Sequence, residues 1–453
     1  MTRSSPASLG GAEITEHRLK NGLRVLLVER HADPVVALMT WYRVGARNER
    51  EDEAGVSHFL EHMMFKGSRG FAKGEVDRIT TELGGSNNAF TGYDHTAYWF
   101  ELASDRWERA LEIEADRMRH LSLDELEFNA EREVVLEELA MGKDDPWRRL
   151  TELVQTTLFA RHPYRRPIIG HTDALREMTA ASMRDYYRRF YHPGNATLVV
   201  CGDIRPRRAL TAIRKLFGEI PAGPAFEEAD CFRPAVDALE GRRRVSMTWP
   251  DRGSRMCMVW PGASVGSKDD WTLDVLSTAL SSGRTSRLYR ELVLEQGLAT
   301  SVSTHNDSRV EGGVFWLMAE CAQGVEPERL EAAINAELAS LTARPLPTAE
   351  LKRVKSILTS AEAYESETVT DLAETLGEFA IDADWRMAVE GTTLIQAVDA
   401  KRVQDCAQRL LDPERQVVGW CLPRVEAPAA PRPSKRRSKT RTKSRVKAKR
   451  ARA

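Results

Sequence analysis

In the first part of the chain, short apolar blocks alternate with longer stretches of helical period. Leu19-Lys20-Asn21-Gly22-Leu23-Arg24-Val25-Leu26-Leu27-Val28 sets Asn-Gly between apolar positions, the pairing that most favours a tight hairpin. A second strand is expected over Val35 to Val44, stopped by Gly45. Helical patterns follow from about Val56 to Phe65 and from Gly74 to Leu83. Ala97 to Leu102 reads as a strand and Trp107 to His120 as an amphipathic helix. Leu123 to Met141 reads as a long Glu- and Leu-rich helix, with no Gly or Pro inside it. Asn195 to Cys201 is a β-branched strand closed by Gly202-Asp203.

Between Pro221 and Gly241 the composition turns to Pro, Ala, Gly and acids, the mark of a linker. Beyond it the order recurs, with a strand near Arg255 to Trp260 and a helix from Trp271 to Leu280 closed by glycine. Laying Gly67 on Gly283 brings His58, Glu61 and His62 onto Asp274, Ser277 and Thr278. That match suggests two copies of one α+β unit, of which only the first carries metal-ligand side chains. Trp41, Trp99, Trp249 and Trp260 fall at strand positions and are expected in the core.

Composition narrows the class. A chain of 453 residues, 42% hydrophobic and 29% charged, is long enough for two or three soluble globular domains. It holds no run of 18 apolar residues, and Met1 to Ala12 lacks the apolar core of a secretory signal, so the expected location is the cytoplasm. Six scattered cysteines without a CxxC pair read as free thiols in a reducing compartment. The net charge of −1 conceals an asymmetry: Pro431 to Ala453 carries twelve Lys or Arg and no acid. The body is therefore acidic, and the stretch from 425 to 453 is expected to be a disordered, solvated polycation. Binding of nucleic-acid phosphates through this tail is the alternative reading.

The candidate chemistry lies in Gly55-Val56-Ser57-His58-Phe59-Leu60-Glu61-His62-Met63-Met64-Phe65. Histidines four apart share a helical face and can converge on one ion, and Glu61 lies on the same side. Catalytic zinc takes three protein ligands and a water, so a third ligand must come from elsewhere. In Glu131-Arg132-Glu133-Val134-Val135-Leu136-Glu137-Glu138, Glu131 and Glu138 stand two turns apart on one face. One can ligate while the other orients a histidine. Glu61, free of the metal, is placed to take a proton from water and pass it to the leaving amine. Histidines 17, 31, 95, 120, 162, 171, 192 and 305 have no ligand-like spacing and read as surface or satisfied residues.

The chain resembles the pitrilysin/insulinase family of zinc peptidases, the inverzincins, which include mitochondrial processing peptidase. The inverted motif matches His58-Phe59-Leu60-Glu61-His62, and the distal pair matches Glu131 and Glu138, about 75 residues on. Further matches run through Leu19 to Leu23, Gly84 to Thr91, Pro163 to Gly170, Asn195 to Asp203 and Gly283 to Tyr289, covering roughly residues 14 to 423. The resemblance implies one zinc per chain on His58, His62 and Glu138. It implies an α+β fold of two similar halves, 14–222 and 242–424, closing like a clamshell over a chamber. It also implies a substrate peptide lying along an exposed strand at Asn88 and Ala89. Active members usually carry an Arg and, seven residues later, a Tyr in the second half, in a run ending Gly-Leu-Ala-Tyr; here Gly297-Leu298-Ala299 fixes the register and those positions hold Val293 and Thr300. The implied remedy is a homologous partner subunit that supplies the pair. The alternatives are a self-sufficient homodimer and a non-catalytic assembly subunit.

Overall fold

A computed structural model describes residues 7–224 and 241–424. Most of the expected linker, the whole basic tail and Cys231 lie outside those residues. The first sheet is formed by β1 (Ala7–Leu9), β2 (Ala12–Arg18), β3 (Arg24–Glu29), β4 (Val35–Tyr42), β5 (Ser86–Thr91), β6 (Thr96–Ala103) and β7 (Ala196–Gly202). Its order is β1-β2-β3-β7-β4-β6-β5. The second comprises β8 (Arg243–Trp249), β9 (Arg255–Pro261), β10 (Ala299–Asp307), β11 (Val314–Cys321) and β12 (Val417–Pro423), ordered β10-β11-β9-β12-β8. Each sheet has one parallel pair, β3 with β7 and β8 with β12. Read from the β5 and β10 edges, the two orders coincide over five strands, with β1 and β2 added to the first sheet, so the internal repeat is a repeat of topology.

Helices of the first half are α1 (Val56–Met63), α2 (Glu75–Glu82), α3 (Glu108–His120), α4 (Glu125–Gly142), α5 (Pro146–Leu158), α6 (Thr172–Glu177), α7 (Ala180–Phe190) and α8 (Pro206–Phe217). The second half contributes α9 (Lys268–Ser281), α10 (Pro327–Ala343), α11 (Thr348–Tyr364), α12 (Val369–Asp382), α13 (Arg386–Gln396) and α14 (Ala400–Leu410). Tyr289–Glu295 forms a π-helical turn between α9 and β10.

The uninterrupted apolar strands report burial on both faces. In β4, Val36, Leu38 and Tyr42 face a core shared with α1, α3 and α7, while Ala37, Met39 and Trp41 face a second core. That second core is closed by Leu372, Ala373, Leu376 and Ala380 of α12, from the other half. The reverse also holds: Leu150, Val154 and Leu158 of α5 cover Cys257, Val259 and Cys421 of the second sheet. The halves are clasped by exchanged helices at equivalent places in the repeat.

The hairpin expected at Asn21-Gly22 is a longer connection, because β2 and β3 part at Arg18 and Arg24 and leave Leu19 to Leu23 between them. Gly22 has φ 92°, as a turn glycine requires. Asn21 gives its amide protons to the carbonyls of Phe217 (2.8 Å) and Ile220 (2.9 Å), so it also caps the end of α8. Trp41 and Trp260 are fully buried, and Trp99 and Trp249 partly so. The five described cysteines are free and buried. No helix among the described residues is long and apolar enough to cross a membrane.

Candidate metal centre

Helix α1 begins at Gly55, whose φ of 94° and close approach to the Ile169 carbonyl (2.5 Å from a built Cβ) exclude any side chain. Its first turn is capped from upstream. The buried Glu49 carboxylate accepts from Gly55 N–H (2.8 Å) and Ser57 N–H (2.9 Å). Burial pushes the Glu49 carboxyl up to about 7, against these hydrogen bonds. Val56, Phe59, Leu60 and Met63 turn inward, leaving His58, Glu61 and His62 on the remaining face.

Helix α4 crosses this face. It starts at Asp124, whose side chain accepts from Leu126 N–H and Glu127 N–H, and it buries Phe128, Glu131, Val135 and Leu139, a stripe of helical period. Phe59 and Phe128 stack at 4.7 Å between centroids and set the distance between the two helices. Glu131 is thus the one acid within a buried stripe, and Glu138 lies at the rim with its side chain 44% exposed.

The imidazoles of His58 and His62, the Glu138 carboxylate and no other described group of three offer ligand atoms that all lie within 4.8 Å of one another. His58 Nε2 is 3.7 Å from Glu138 Oε1, and His62 Nε2 is 3.6 Å from Glu138 Oε2. These separations are too long for hydrogen bonds. They approach the distance of about 3.3 Å between neighbouring ligand atoms of a tetrahedral zinc. Burial, then the charges of His62 and Arg148, pull His58 down to about 4, so it is neutral, as a ligand must be. His62 Nδ1 meets Glu131 Oε1 at 2.9 Å, and Lys66 Nζ meets Glu131 Oε2 at 2.5 Å. Burial opposes the Glu131 charge, but the bonds from Lys66 and His62 outweigh it and hold the carboxyl below its usual range. His58 Nδ1, by contrast, is buried without a hydrogen-bond partner.

Glu61 reaches β5 while staying within range of the charges of His62 and Glu138. Thr91 Oγ1 donates to Glu61 Oε2 at 2.5 Å. Burial pushes the Glu61 carboxyl up, opposed by the bond from Thr91. Asn88 and Ala89 lie on β5, the last strand of its sheet, with Asn88 exposed and Ala89 buried. Val293 packs partly buried against the core of the second half, and Thr300 lies exposed at the start of β10. Neither has a hydrogen bond to the ligand group.

The pattern of residue types brings His58, His62 and Glu138 forward as candidates; it does not bring forward Lys66, Glu49 or Thr91. Lys66 stands four residues after His62 but beyond the end of α1, so no helical spacing announces it. Glu49 and Thr91 act across loops, and nothing in their local sequence announces a partner. A cavity of about 340 Å³ at the joint between the halves is lined by Tyr93, Gln155, His305, Arg309, Trp316 and Met318 among others, and by none of His58, His62 and Glu138.

The family model described as insulinase (peptidase family M16) matches residues 24–172, and that described as the peptidase M16 inactive domain matches residues 177–358. The zinc protease PqqE of Helicobacter pylori is 30% identical over 378 residues, 81% of this chain and 83% of that protein. The crystal structure of a protease from Helicobacter pylori superposes with a TM-score of 0.86 at 25% identity, covering 92% of this chain and 100% of the other. The periplasmic protease PqqL from Escherichia coli shares the fold at a TM-score of 0.75 and 21% identity. That match takes in 92% of this chain but 48% of PqqL.

Proposed function

This chain belongs to the M16 (insulinase) family of zinc proteases, and from that premise we propose that His58, His62 and Glu138 hold one zinc ion while Glu61 serves as the general base. The observation that carries this reading is the convergence of both Nε2 atoms on the Glu138 carboxylate at 3.6 and 3.7 Å. Zinc, when bound, supplies a Lewis acid that polarises a peptide carbonyl and acidifies water. The chain's own groups do the rest. Glu61 accepts the water's proton through the oxygen that Thr91 leaves free, and delivers it to the leaving nitrogen. Glu131 fixes the tautomer and tilt of His62. The open edge of β5 at Asn88 and Ala89 pairs with the substrate main chain, which favours peptides and unfolded segments over folded proteins. In this reading the first domain, 14–222, carries the chemistry, and the second, 242–424, is non-catalytic. Replacing His58 or His62 by Ala should empty the site of zinc in the purified full chain, whereas Glu61→Gln should keep zinc and abolish peptide hydrolysis. Near-native turnover by the Glu61→Gln chain would refute the base assignment.

A second element of the proposal is a homologous partner subunit. Val293 offers no donor and Thr300 cannot reach as a phenol would, so transition-state charge lacks the donors this half is implied to supply. The exchanged helices clasp the two halves, so a chamber that opens and closes needs a second body. PqqL, about twice as long as the stretch it shares with this chain, has room for such a body in one polypeptide. The lone chain should bind zinc yet cleave a peptide mixture poorly, and gain activity when the homologue is added. Full activity of the lone chain, unchanged by the homologue, would reject the pairing. Buried free cysteines support a cytoplasmic location, which fractionation of cells would test.

A further inference from the structure

We infer that Thr91 is a positioning residue for hydrolysis, holding the Glu61 carboxylate in the one rotation that presents a free oxygen to water. The inference rests on the assignment of Glu61 as base. Glu61 hangs on a torsion whose last angle is broad and roughly two-fold, so helix α1 alone does not fix which oxygen faces the substrate. Thr91 Oγ1 donates to Oε2 at 2.5 Å, and among the described residues none donates to Oε1. The donor is itself fixed, since Thr91 is the last residue of β5 and pairs with Thr96 of β6. Strand β5 therefore both offers its edge to the peptide and sets the base that activates the attacking water.

The non-catalytic half shows the same junction closed. Ser277, which falls where Glu61 does in the repeat, gives its hydroxyl to the Thr304 carbonyl (3.0 Å) on β10, and Ser281 meets Thr304 Oγ1 at 2.8 Å. There the helix and the edge strand are joined through hydroxyl groups. In the first half helix and edge strand are joined instead through the Glu61 carboxylate, one oxygen of which accepts from Thr91.

Thr91→Val removes the hydroxyl at nearly constant shape, and Thr91→Ser keeps it. With the zinc-loaded full chain, its partner added where activity needs it, the readout is cleavage of one fluorogenic peptide drawn from those the wild type cuts. Thr91→Val should lower kcat about 10- to 100-fold, the usual cost of losing an orienting hydrogen bond at a metal site, and leave KM, zinc content and melting temperature unchanged. Thr91→Ser should recover most of kcat. Unaltered kcat in Thr91→Val, a matching loss of zinc or of KM, or no recovery in Thr91→Ser would overturn the inference. Glu61→Gln assayed in parallel separates the two readings. If it is inactive while Thr91→Val is fully active, only the role of Thr91 falls; if it is active, the base assignment falls first.

Discussion

Glu131 divides its two oxygens between His62 and Lys66, and it is buried where Glu138 is open to solvent. Glu131→Gln keeps an acceptor for His62 but gives up the charge that Lys66 balances. Zinc affinity or turnover should fall about 10- to 100-fold, measured by competition with a chelator and by peptide cleavage. A Glu131→Gln chain indistinguishable from wild type would reduce this acid to a packing residue. Only the family resemblance chose Glu138 over Glu131, but His58, His62, Glu131 and Glu138 were all legible as candidates, because helical spacing puts residues four and seven apart on one face. Thr91 and Glu49 were not. Each finds its partner through a turn whose path depends on glycine geometry at Gly55 and on strand pairing between β5 and β6, and neither is encoded locally.

At the scale of elements, α12 is the piece whose place was hardest to read. Its apolar residues announce a buried face, but the face does not name the sheet it will cover. The fit is close: a Cβ on Gly377 would lie 2.0 Å from Trp41 Nε1. Alanine in a helix interior normally gains up to about 1 kcal/mol over glycine, whereas overpacking a rigid core costs about 1–3 kcal/mol. Gly377→Ala should therefore destabilise the full chain, with a lower urea midpoint; a higher midpoint would show that the indole can move aside. The same helix ends on an ion pair with the first half, His95 Nδ1 to Asp382 Oδ2 at 2.7 Å. Burial works against the His95 charge, but the charge and hydrogen bond of Asp382 outweigh it and raise His95 to about 9. A raised histidine contributes its stability in full below about pH 6.5 and loses it as pH rises through about 9. The stability gap between wild type and His95→Gln should be largest near pH 6 and close by pH 10. A gap that widened with pH would contradict the pairing. Of the strands, β4, β6, β7 and β9 were legible to within a residue or two, β4 and β7 being apolar on both sides, whereas β10, β11 and β12 were not.

For the molecule as a whole, the repeat was visible in outline from Gly67 and Gly283, and its strand order confirms it at the level of topology. What the repeat alone does not convey is that the copies trade helices. Two sheets that each rely on the other half's helix share one hydrophobic fate, and thermal unfolding of the described body should be a single transition. Calorimetry checks this directly, because a two-state process has equal calorimetric and van't Hoff enthalpies. Two resolved transitions, one per half, would mean that the exchanged helices add little to either sheet.

The exchange also sets a timetable on the ribosome. The first sheet is complete once β7 has emerged, but Met39, Trp41 and Val199 stay bare on one face until α12 follows, roughly 180 residues later. At a synthesis rate of about 5–20 residues per second, that face is uncovered for on the order of 10–40 s in every chain made. A nascent chain stalled before α12 would carry this apolar surface for as long as the stall lasted, and it should be a preferred client of the chaperones that wait at the exit tunnel.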